Sequence, residues 1–337
     1  MEENKLYPLT FCSLQDDYAW GTEEFKLADL GYRDSLIKEG WLAGNSIGEI
    51  MDTYIERVSG DETFEKYGRQ FPLCVKNITV RGKMPLRVHP DDETASQRYD
   101  FLGKDKLWYI LSAGKNARIY MGFKQSTDAG TLYSKCLDNT VDEILNVIAP
   151  HAGQCLHITP GTPHAAEGDL KIIEISESSP MDFCLCGWGE TVSEEEFDPQ
   201  LSLVEAMDFI NYRRFTPASY SGLPDLPQLS VRLAQLDSAL RFRDSDSGIV
   251  VTCVSGGVEM RMKVLNTEAS YKIGVGDTML IPAECKDFTL TGTQKGSEAL
   301  ISVTTSAETD KYINPDAAPS LEGEDDSDDT DENITLI

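Results

Sequence analysis

The fold of this chain is decided by two short stretches of sequence, Arg87-Val88-His89-Pro90-Asp91-Asp92 and Gly153-x5-Thr159-x-Gly161-x-x-His164. A small β-barrel that binds a metal ion has to place a histidine on an inward-facing strand directly after a tight turn. Gly153 opens such a strand, and Gly161 supplies the turn at a point where a side chain would clash. The second stretch therefore predicts a β-barrel with His164 facing its interior.

In the first stretch, an arginine stands close to the other histidine. Arg87 and His89 are two residues apart on a predicted strand that covers residues 84–89. Side chains two apart on a strand point to the same face of the sheet. Arg87 is therefore expected to share the interior space that His89 faces.

Composition places the chain among globular proteins. Its 337 residues are 40% hydrophobic and 26% charged, and they are numerous enough for two domains. No run of about eighteen apolar residues predicts a membrane span, and residues 1–5 lack the basic and apolar regions of a secretory signal. We therefore expect a cytoplasmic protein with no membrane partner. Its eight cysteines include no Cys-x-x-Cys pair and fit reduced thiols better than a disulfide framework.

The chain is strongly acidic, with a formal net charge of -27 from 30 basic and 57 acidic residues. Such a charge repels nucleic acid and anionic membranes, so nucleic acid is not an expected partner. The stretch from Glu322 to Glu332 is rich in acidic residues and contains no basic residue. Because such a run cannot bury apolar area, it is expected to be a disordered tail.

Strand patterns dominate the chain up to about residue 190 and resume after a linker rich in Pro and Ser. Helices are predicted for residues 46–58, where Ser46 is the cap, for residues 141–148, and for residues 202–211. Gly276-x5-Pro282 repeats the turn spacing of the first barrel without a histidine, which predicts a second barrel without such a metal site. We predict four segments: a barrel domain with the site (1–190), a helix and linker (191–230), a second barrel (231–312) and the acidic tail (313–337).

Several blocks, in order along the chain, resemble the type I mannose-6-phosphate isomerases in their shorter bacterial form. The resemblance runs from about Tyr18 to Gly189, with a weaker echo in the second barrel. It implies a mainly β fold of two cupin (jelly-roll) barrels with a few helices, a zinc ion in the first barrel, and conversion of mannose 6-phosphate to fructose 6-phosphate. The blocks are Trp20-Gly21, Phe71-Pro72-Leu73-x-Val75-Lys76, His89-Pro90-Asp91-Asp92-Glu93, Gly103-Lys104-x-x-x-Trp108-Tyr109-Ile110-Leu111, Ile119-Tyr120-x-Gly122-Phe123-Lys124, Gly161-Thr162-x-His164-Ala165 and Glu174-Ile175-x-x-Ser178-Ser179.

The resemblance also implies a zinc site made of a glutamine, two histidines and a glutamate. Carried over position by position, the histidines match His89 and His164, but the glutamine position holds Arg87 and the glutamate position holds Lys106. A lysine of the family is kept as Lys104. Three further positions depart from the family pattern: Pro85, Ala166 and Glu190.

Two cations at ligand positions weigh against a metal ion. A divalent ion about 5 Å from either cation meets roughly 6 kcal/mol of repulsion at an effective dielectric of about 20. Two such terms rival the roughly 10 to 16 kcal/mol that complete zinc sites gain. We therefore hypothesise that Arg87 and Lys106 replace the ion and leave a positive pocket for an anion such as a sugar phosphate. In an alternative of equal weight, both cations pair with acids such as Glu174 or Asp105 and plug a decayed site.

Whether the protein is an enzyme is left open by the sequence. The preferred function is aldose-ketose isomerisation of a hexose 6-phosphate, impaired or metal-independent, with Lys106, Arg87 and Lys104 as catalytic residues. The alternatives are a non-catalytic cupin that binds a sugar phosphate, as a sensor or pseudoenzyme, and a structural relative that forms complexes. A monomer or weak homodimer is expected. Candidate substrate contacts are Lys104, Ser178, Ser179 and Trp108.

A further histidine, His157, lies near the second stretch. A lone histidine on a barrel strand more often satisfies a hydrogen bond than binds a metal. We therefore expect His157 to be a hydrogen-bonded barrel residue and not a substitute ligand.

Overall fold

Strands dominate the computed structural model, which describes residues 5–189, 199–216, 223, 229–243, 245–264 and 267–304. Within these ranges, twenty strands form four antiparallel sheets. The strands are β1 (Leu9–Thr10), β2 (Leu14–Tyr18), β3 (Gly21–Leu27), β4 (Leu73–Val80), β5 (Leu86–Val88), β6 (Lys106–Ala113), β7 (Arg118–Phe123), β8 (Leu145–Ile148), β9 (Cys155–Ile158), β10 (His164–Glu167), β11 (Leu170–Glu177), β12 (Phe183–Cys186), β13 (Leu229–Gln235), β14 (Leu240–Phe242), β15 (Ile249–Ser255), β16 (Gly257–Val264), β17 (Thr267–Gly274), β18 (Thr278–Ile281), β19 (Phe288–Gly292) and β20 (Glu298–Thr304). The helices are α1 (Ile47–Tyr54), α2 (Glu56–Ser59), α3 (Asp61–Tyr67), α4 (Asp92–Tyr99), α5 (Ala129–Leu137) and α6 (Pro199–Ala206), with a 3-10 turn at Val141–Glu143.

The first barrel consists of two sheets packed face to face. One has the strand order β2-β3-β4-β11-β6-β9, and the other has the order β12-β5-β10-β7-β8. Val80 and Trp108 of the six-stranded sheet pack in one apolar cluster with Ile119 and Met121 of the five-stranded sheet. Burying this apolar surface between the sheets is what closes the barrel.

A second barrel is formed in the same way from the sheets β1-β18-β15-β20-β13 and β14-β19-β16-β17. Val251 and Ile301 of the first of these sheets pack with Met260 and Leu290 of the other. The mainly β fold with two barrels and a few helices, predicted from the sequence, is confirmed.

One apolar cluster joins the two barrels. It contains Val75 and Ile173 from the first barrel and Val250 and Leu280 from the second. The pairing of Leu9 with Leu280 also adds β1, from the start of the chain, to a sheet of the second barrel. The barrels therefore share a core, and the boundaries drawn along the sequence stay a prediction.

Among the predicted helices, the first has the expected cap. The Ser46 side chain accepts from the backbone N–H of Glu49 over 3.1 Å, and the Glu49 carboxylate accepts from the backbone N–H of Ser46 over 2.8 Å. This reciprocal pair is a capping box, which satisfies two backbone donors at the start of α1. The helix ends at Tyr54, earlier than predicted.

The helix predicted for residues 141–148 is wrong. Only Val141–Glu143 turns as a 3-10 helix, and Leu145–Ile148 is a strand in which Ile148 pairs with Ile119 of β7. The run is short and rich in branched residues, so pairing at the edge of a sheet outweighs a weak helical pattern.

The other predicted helix begins earlier than expected, because α6 starts at Pro199. Proline suits the first turn of a helix, where its missing N–H is not needed. Ser202 therefore lies inside the helix and is not its cap. The acidic tail and most of the linker fall outside the described residues.

No helix in the described part of the chain is long and apolar enough to cross a bilayer. The eight cysteines, all of which lie within the described ranges, form no disulfide.

The buried carboxyl group of Asp29 should make stability depend on pH. Burial raises the pKa of Asp29 to about 7. The hydrogen bond that Asp29 Oδ2 accepts from the Phe71 N–H, at 2.6 Å, acts in the opposite direction but is the weaker effect. Between about pH 4 and pH 7 the Asp29 carboxyl group is ionised in the unfolded chain but still protonated in the folded protein. The free energy of unfolding should therefore fall with rising pH, by up to ~1.4 kcal/mol per pH unit. Asp29→Asn keeps an acceptor oxygen and removes the titration, which should flatten the profile in denaturant titrations.

The matched control is Asp208→Asn, because the Asp208 side chain is 70% exposed. This variant should keep the slope of the original protein. An unchanged slope in Asp29→Asn would show that Asp29 does not cause the pH dependence of stability.

Candidate active site

Two buried histidines meet inside the first barrel. His89 directly follows β5 and His164 begins β10, and the two strands are neighbours because His164 pairs with Arg87. Both histidines are 0% exposed, and their ring centroids lie 5.3 Å apart. The structure thus brings together the two residues that the sequence singled out as metal ligands.

The turn before His164 requires a glycine, as the sequence predicted. Gly161 has a φ of 75°, and a Cβ there would lie 2.5 Å from the carbonyl oxygen of Phe209. Its N–H donates to the carbonyl oxygen of His89 over 2.8 Å. The turn therefore connects the two histidine strands directly.

Backbone carbonyl groups fix which ring nitrogen of each histidine carries the proton. His164 Nδ1 lies 2.9 Å from the carbonyl oxygen of Thr162, and His89 Nε2 lies 3.3 Å from that of Ile158. Because a carbonyl oxygen can only accept, both of these nitrogens donate. The lone pairs therefore sit on His164 Nε2 and His89 Nδ1, the latter without a hydrogen-bond partner in the described structure.

Both imidazoles are neutral in the folded protein. Burial, followed by the charge of Lys106, lowers the pKa of His164 to about 3. The same two causes lower the pKa of His89 well below its usual value. Two neutral imidazoles with inward lone pairs can act as metal ligands or as hydrogen-bond acceptors.

A carboxylate completes this group. Asp182 Oδ1 lies 3.8 Å from His89 Nδ1, and the ligand atoms of His89, His164 and Asp182 all lie within 4.8 Å of one another. Burial would raise the pKa of Asp182, but the charges of Lys104 and Lys106 hold it well below the usual range. Two imidazole nitrogens and a carboxylate oxygen are a donor set that zinc accepts.

The ammonium group of Lys106 lies against two of these three ligand atoms. Its Nζ lies 2.7 Å from Asp182 Oδ1, 3.4 Å from His164 Nε2 and 3.7 Å from Glu174 Oε2. The second oxygen of Asp182 is 2.8 Å from Lys104 Nζ. Three partners therefore surround a lysine that is itself 1% exposed.

This arrangement does not fit a divalent ion while Lys106 is in place. Zinc would have to lie about 2.0 to 2.2 Å from the nitrogen and oxygen ligands, a space that the ammonium group takes. A cation also repels the ion it would touch. The donor set is that of a metal site, but its centre is filled by a side chain.

Further ion pairs extend from Lys106 toward the surface. Glu174 also contacts Lys76 at 3.7 Å, Lys76 contacts Glu23 at 3.3 Å, and Glu23 contacts Arg87 at 2.6 Å. Cations and carboxylates alternate along this series, and four cations stand against three carboxylates. We call these residues the charge chain: Arg87, Glu23, Lys76, Glu174, Lys106, Asp182 and Lys104.

Neighbouring charges of opposite sign favour the ionised forms of the residues in the charge chain. Burial would raise the pKa of Glu23, but the charges of Lys76 and Arg87 outweigh it and lower the pKa to about 2. Burial lowers the pKa of Lys104, although Asp182 opposes this. One positive charge is left over when every member is ionised.

The charge chain is partly exposed near both of its ends. The side chains of Arg87 and Asp182 are 17% and 15% exposed, against 2% for Lys106. The guanidinium of Arg87 also lies 5.6 Å from the ring centroid of Trp20, which stacks on Tyr18 at 5.0 Å. An aromatic surface therefore borders the accessible cation.

The structure places the remaining candidate residues around this group. Trp108 Nε1 donates to Glu174 Oε2 over 2.8 Å, so this buried indole orients a member of the charge chain. Ser179 Oγ donates to the Leu102 carbonyl oxygen over 2.7 Å and accepts from the Met181 N–H over 3.2 Å. Its hydroxyl thus shapes the loop before Asp182.

Ser178 and His157 complete the set. Ser178 is 1% exposed, and its Oγ has no partner in the described structure. Contact of Ser178 and Ser179 with a substrate stays a prediction. His157 Nε2 lies 2.6 Å from Asp105 Oδ1, so His157 is the hydrogen-bonded barrel residue that was predicted, and Asp105 pairs with it.

Three members of the charge chain were missed by sequence reasoning. Glu23 could have been recognised, because it shares the buried face of β3 with Phe25 and Leu27, where an acidic residue is unusual. Lys76 could have been recognised similarly, as a cation inside the apolar run of β4. Asp182 lies in a loop, where no periodicity marks it.

Two jelly-roll barrels with paired histidines inside the first give a cupin-like fold, which is the fold of the phosphomannose isomerases. No protein-family model matches the chain. Mannose-6-phosphate isomerase ManA of Bacillus subtilis is 22% identical over 315 residues, which cover 85% of this chain and 96% of that relative. The similarity to mannose-6-phosphate isomerases inferred from the sequence blocks is confirmed over most of the chain.

Solved structures agree with this similarity. A mannose 6-phosphate isomerase from Bacillus subtilis has a TM-score of 0.74 and 18% identity, and the match covers 88% of this chain and 99% of that one. A zinc-bound mannose 6-phosphate isomerase has a TM-score of 0.67 and 11% identity, with coverage of 88% and 99%. At these identities the structures establish the shared fold.

Removal of one carboxylate from the charge chain should be costly. Glu23→Gln leaves Arg87 and Lys76 buried without their shared anion, which is expected to cost about 3 to 5 kcal/mol of stability. Urea denaturation of the two proteins measures the difference.

Glu24→Gln is the matched control on the same strand. Glu24 is 28% exposed and pairs with Lys26 at 2.8 Å, so its loss should cost less than about 1 kcal/mol. Equal losses in the two variants would show that Glu23 does not hold the buried cations.

Proposed function

We propose that this protein is a sugar-phosphate isomerase that interconverts mannose 6-phosphate and fructose 6-phosphate. The observation that carries the proposal is the charge chain, with one cation in excess, inside the first barrel of a chain similar to mannose-6-phosphate isomerases. The acidic chain as a whole would repel an anionic sugar phosphate, so a local positive end is needed to receive one.

The proposed reaction needs positive charge and a base. Moving a hydrogen between C2 and C1 of the open-chain sugar passes through an enediolate, whose oxygens carry negative charge. Arg87 and Lys106 supply that positive charge, Arg87 from the solvent side and Lys106 from the barrel interior. Both are hydrogen-bond donors as well as charges, which suits developing oxyanions.

Lys104 is the proposed base. Lys104 is charged in the resting charge chain that receives the anion. Because burial lowers its pKa, it can then lose its proton, and the neutral amine takes the proton from C2 and returns it to C1. Asp182 holds Lys104 Nζ at 2.8 Å and thereby fixes its position. Trp108 and Ser179 act by positioning Glu174 and the loop of Asp182.

Proton transfer can be measured directly. Incubation with mannose 6-phosphate in deuterated water should place deuterium on the sugar carbons and yield fructose 6-phosphate, both seen by NMR. Because a general base contributes about 10²- to 10⁴-fold, Lys104→Met should lower kcat/KM by that range. Lys26→Met, which removes a lysine outside the charge chain, should leave turnover unchanged.

Each negative result has a distinct meaning. Full activity in Lys104→Met would remove this lysine from the mechanism. Stabilisation by mannose 6-phosphate in a thermal-shift assay without turnover or deuterium uptake would replace the isomerase by a non-catalytic sugar-phosphate-binding protein.

A further inference from the structure

Two lone pairs that could bind a metal ion meet one ammonium group, and a third lies within 4.8 Å of both of them. His164 Nε2 and Asp182 Oδ1 lie 3.4 Å and 2.7 Å from Lys106 Nζ, and the lone pair of His89 Nδ1 belongs to the same group of ligand atoms. We propose that Lys106 is a built-in replacement for a divalent ion. This single lysine keeps the metal-binding cage, formed by His89, His164 and Asp182, from taking up such an ion.

The ammonium group is suited to this role by its shape. Lysine carries a compact, strongly solvated point charge with three donors, whereas the flat guanidinium of arginine could not be surrounded in this way. Around Lys106 the acceptors are His164, Asp182 and, at a longer 3.7 Å, Glu174. These acceptors surround the ammonium group as ligands would surround a divalent ion.

The supports of the ligand atoms do not depend on Lys106. The carbonyl oxygen of Thr162 fixes the ring of His164, and that of Ile158 fixes the ring of His89. Lys104 holds the second oxygen of Asp182. Partners of this kind orient the ligands of metal sites and set their tautomers. Removing the lysine therefore should leave the cage standing.

Charge counting selects the informative substitution. The charge chain carries one excess positive charge with Lys106 in place. In K106E the lysine charge is lost and a carboxylate is gained, so the group becomes negative by one, and a bound Zn²⁺ restores the original value. The new carboxylate is also a suitable fourth ligand for zinc.

The experiment compares metal uptake by the full chain and two variants. The original protein, K106E and K106A are stripped with chelator and dialysed against ZnCl₂ or CoCl₂, and the bound metal is counted by elemental analysis. The original protein should retain far less than one ion, while K106E should retain about one, with the visible absorption of tetrahedral Co²⁺. K106A should also take up the ion, more weakly.

Matched controls separate this site from adventitious binding. The cysteines and acidic residues elsewhere are common to all the proteins, so the original chain sets the baseline. Adding His164→Ala to K106E should remove the gained ion and its absorption. Circular dichroism checks folding, and K106A supplies the measurement if K106E folds poorly.

Two results would overturn the inference. One is stoichiometric zinc in the original protein. The other is a folded Lys106 variant that binds no more metal than the original. Neither depends on turnover, so the inference and the proposed isomerase activity can fail separately.

Discussion

The first barrel depends on how the buried charge of Lys106 is balanced. A lone ammonium inside a protein costs several kcal/mol, and it persists only where hydrogen bonds and opposite charges surround it. Asp182 and His164 accept from this lysine, and Glu174 lies just beyond. Because each acceptor is also held by a partner of its own, the acceptors determine where the ammonium group lies.

Cations and carboxylates alternate along the charge chain, so each charged side chain has a neighbour of opposite charge across the barrel. Glu174 and Glu23 each contact two cations, and the series ends in a lysine at one side and in Arg87 at the other. The one positive charge in excess therefore belongs to the charge chain as a whole, and the charge chain is partly exposed at Arg87. In a chain with a net charge of -27, this is how an anion can be met by a local positive field.

Local patterns in the sequence were enough to predict the barrels and half of the site. His89, His164 and the turn at Gly161 follow spacing rules that act over a few residues. Asp182 could not be found in this way, because it meets Lys106 across 76 residues of sequence, and Glu23 meets Arg87 across 64. Both cations are paired with acids, as one of the two hypotheses expected, yet the pairing leaves one positive charge in excess.

The choice between an ion and a lysine bears on which reaction the site can support. Zinc in enzymes often serves to lower the pKa of a bound water and create a nucleophile, which an ammonium group cannot do. Aldose-ketose isomerisation needs no such nucleophile, since its hydrogen moves between carbons of one molecule. Under the proposed function, the enediolate requires fixed positive charge in a site with little water, and a buried lysine held by Asp182 and His164 would supply that charge. A cupin barrel can, under the proposed function, exchange its ion for a side chain and remain suited to isomerisation, whereas a hydrolase that relies on metal-bound water could not.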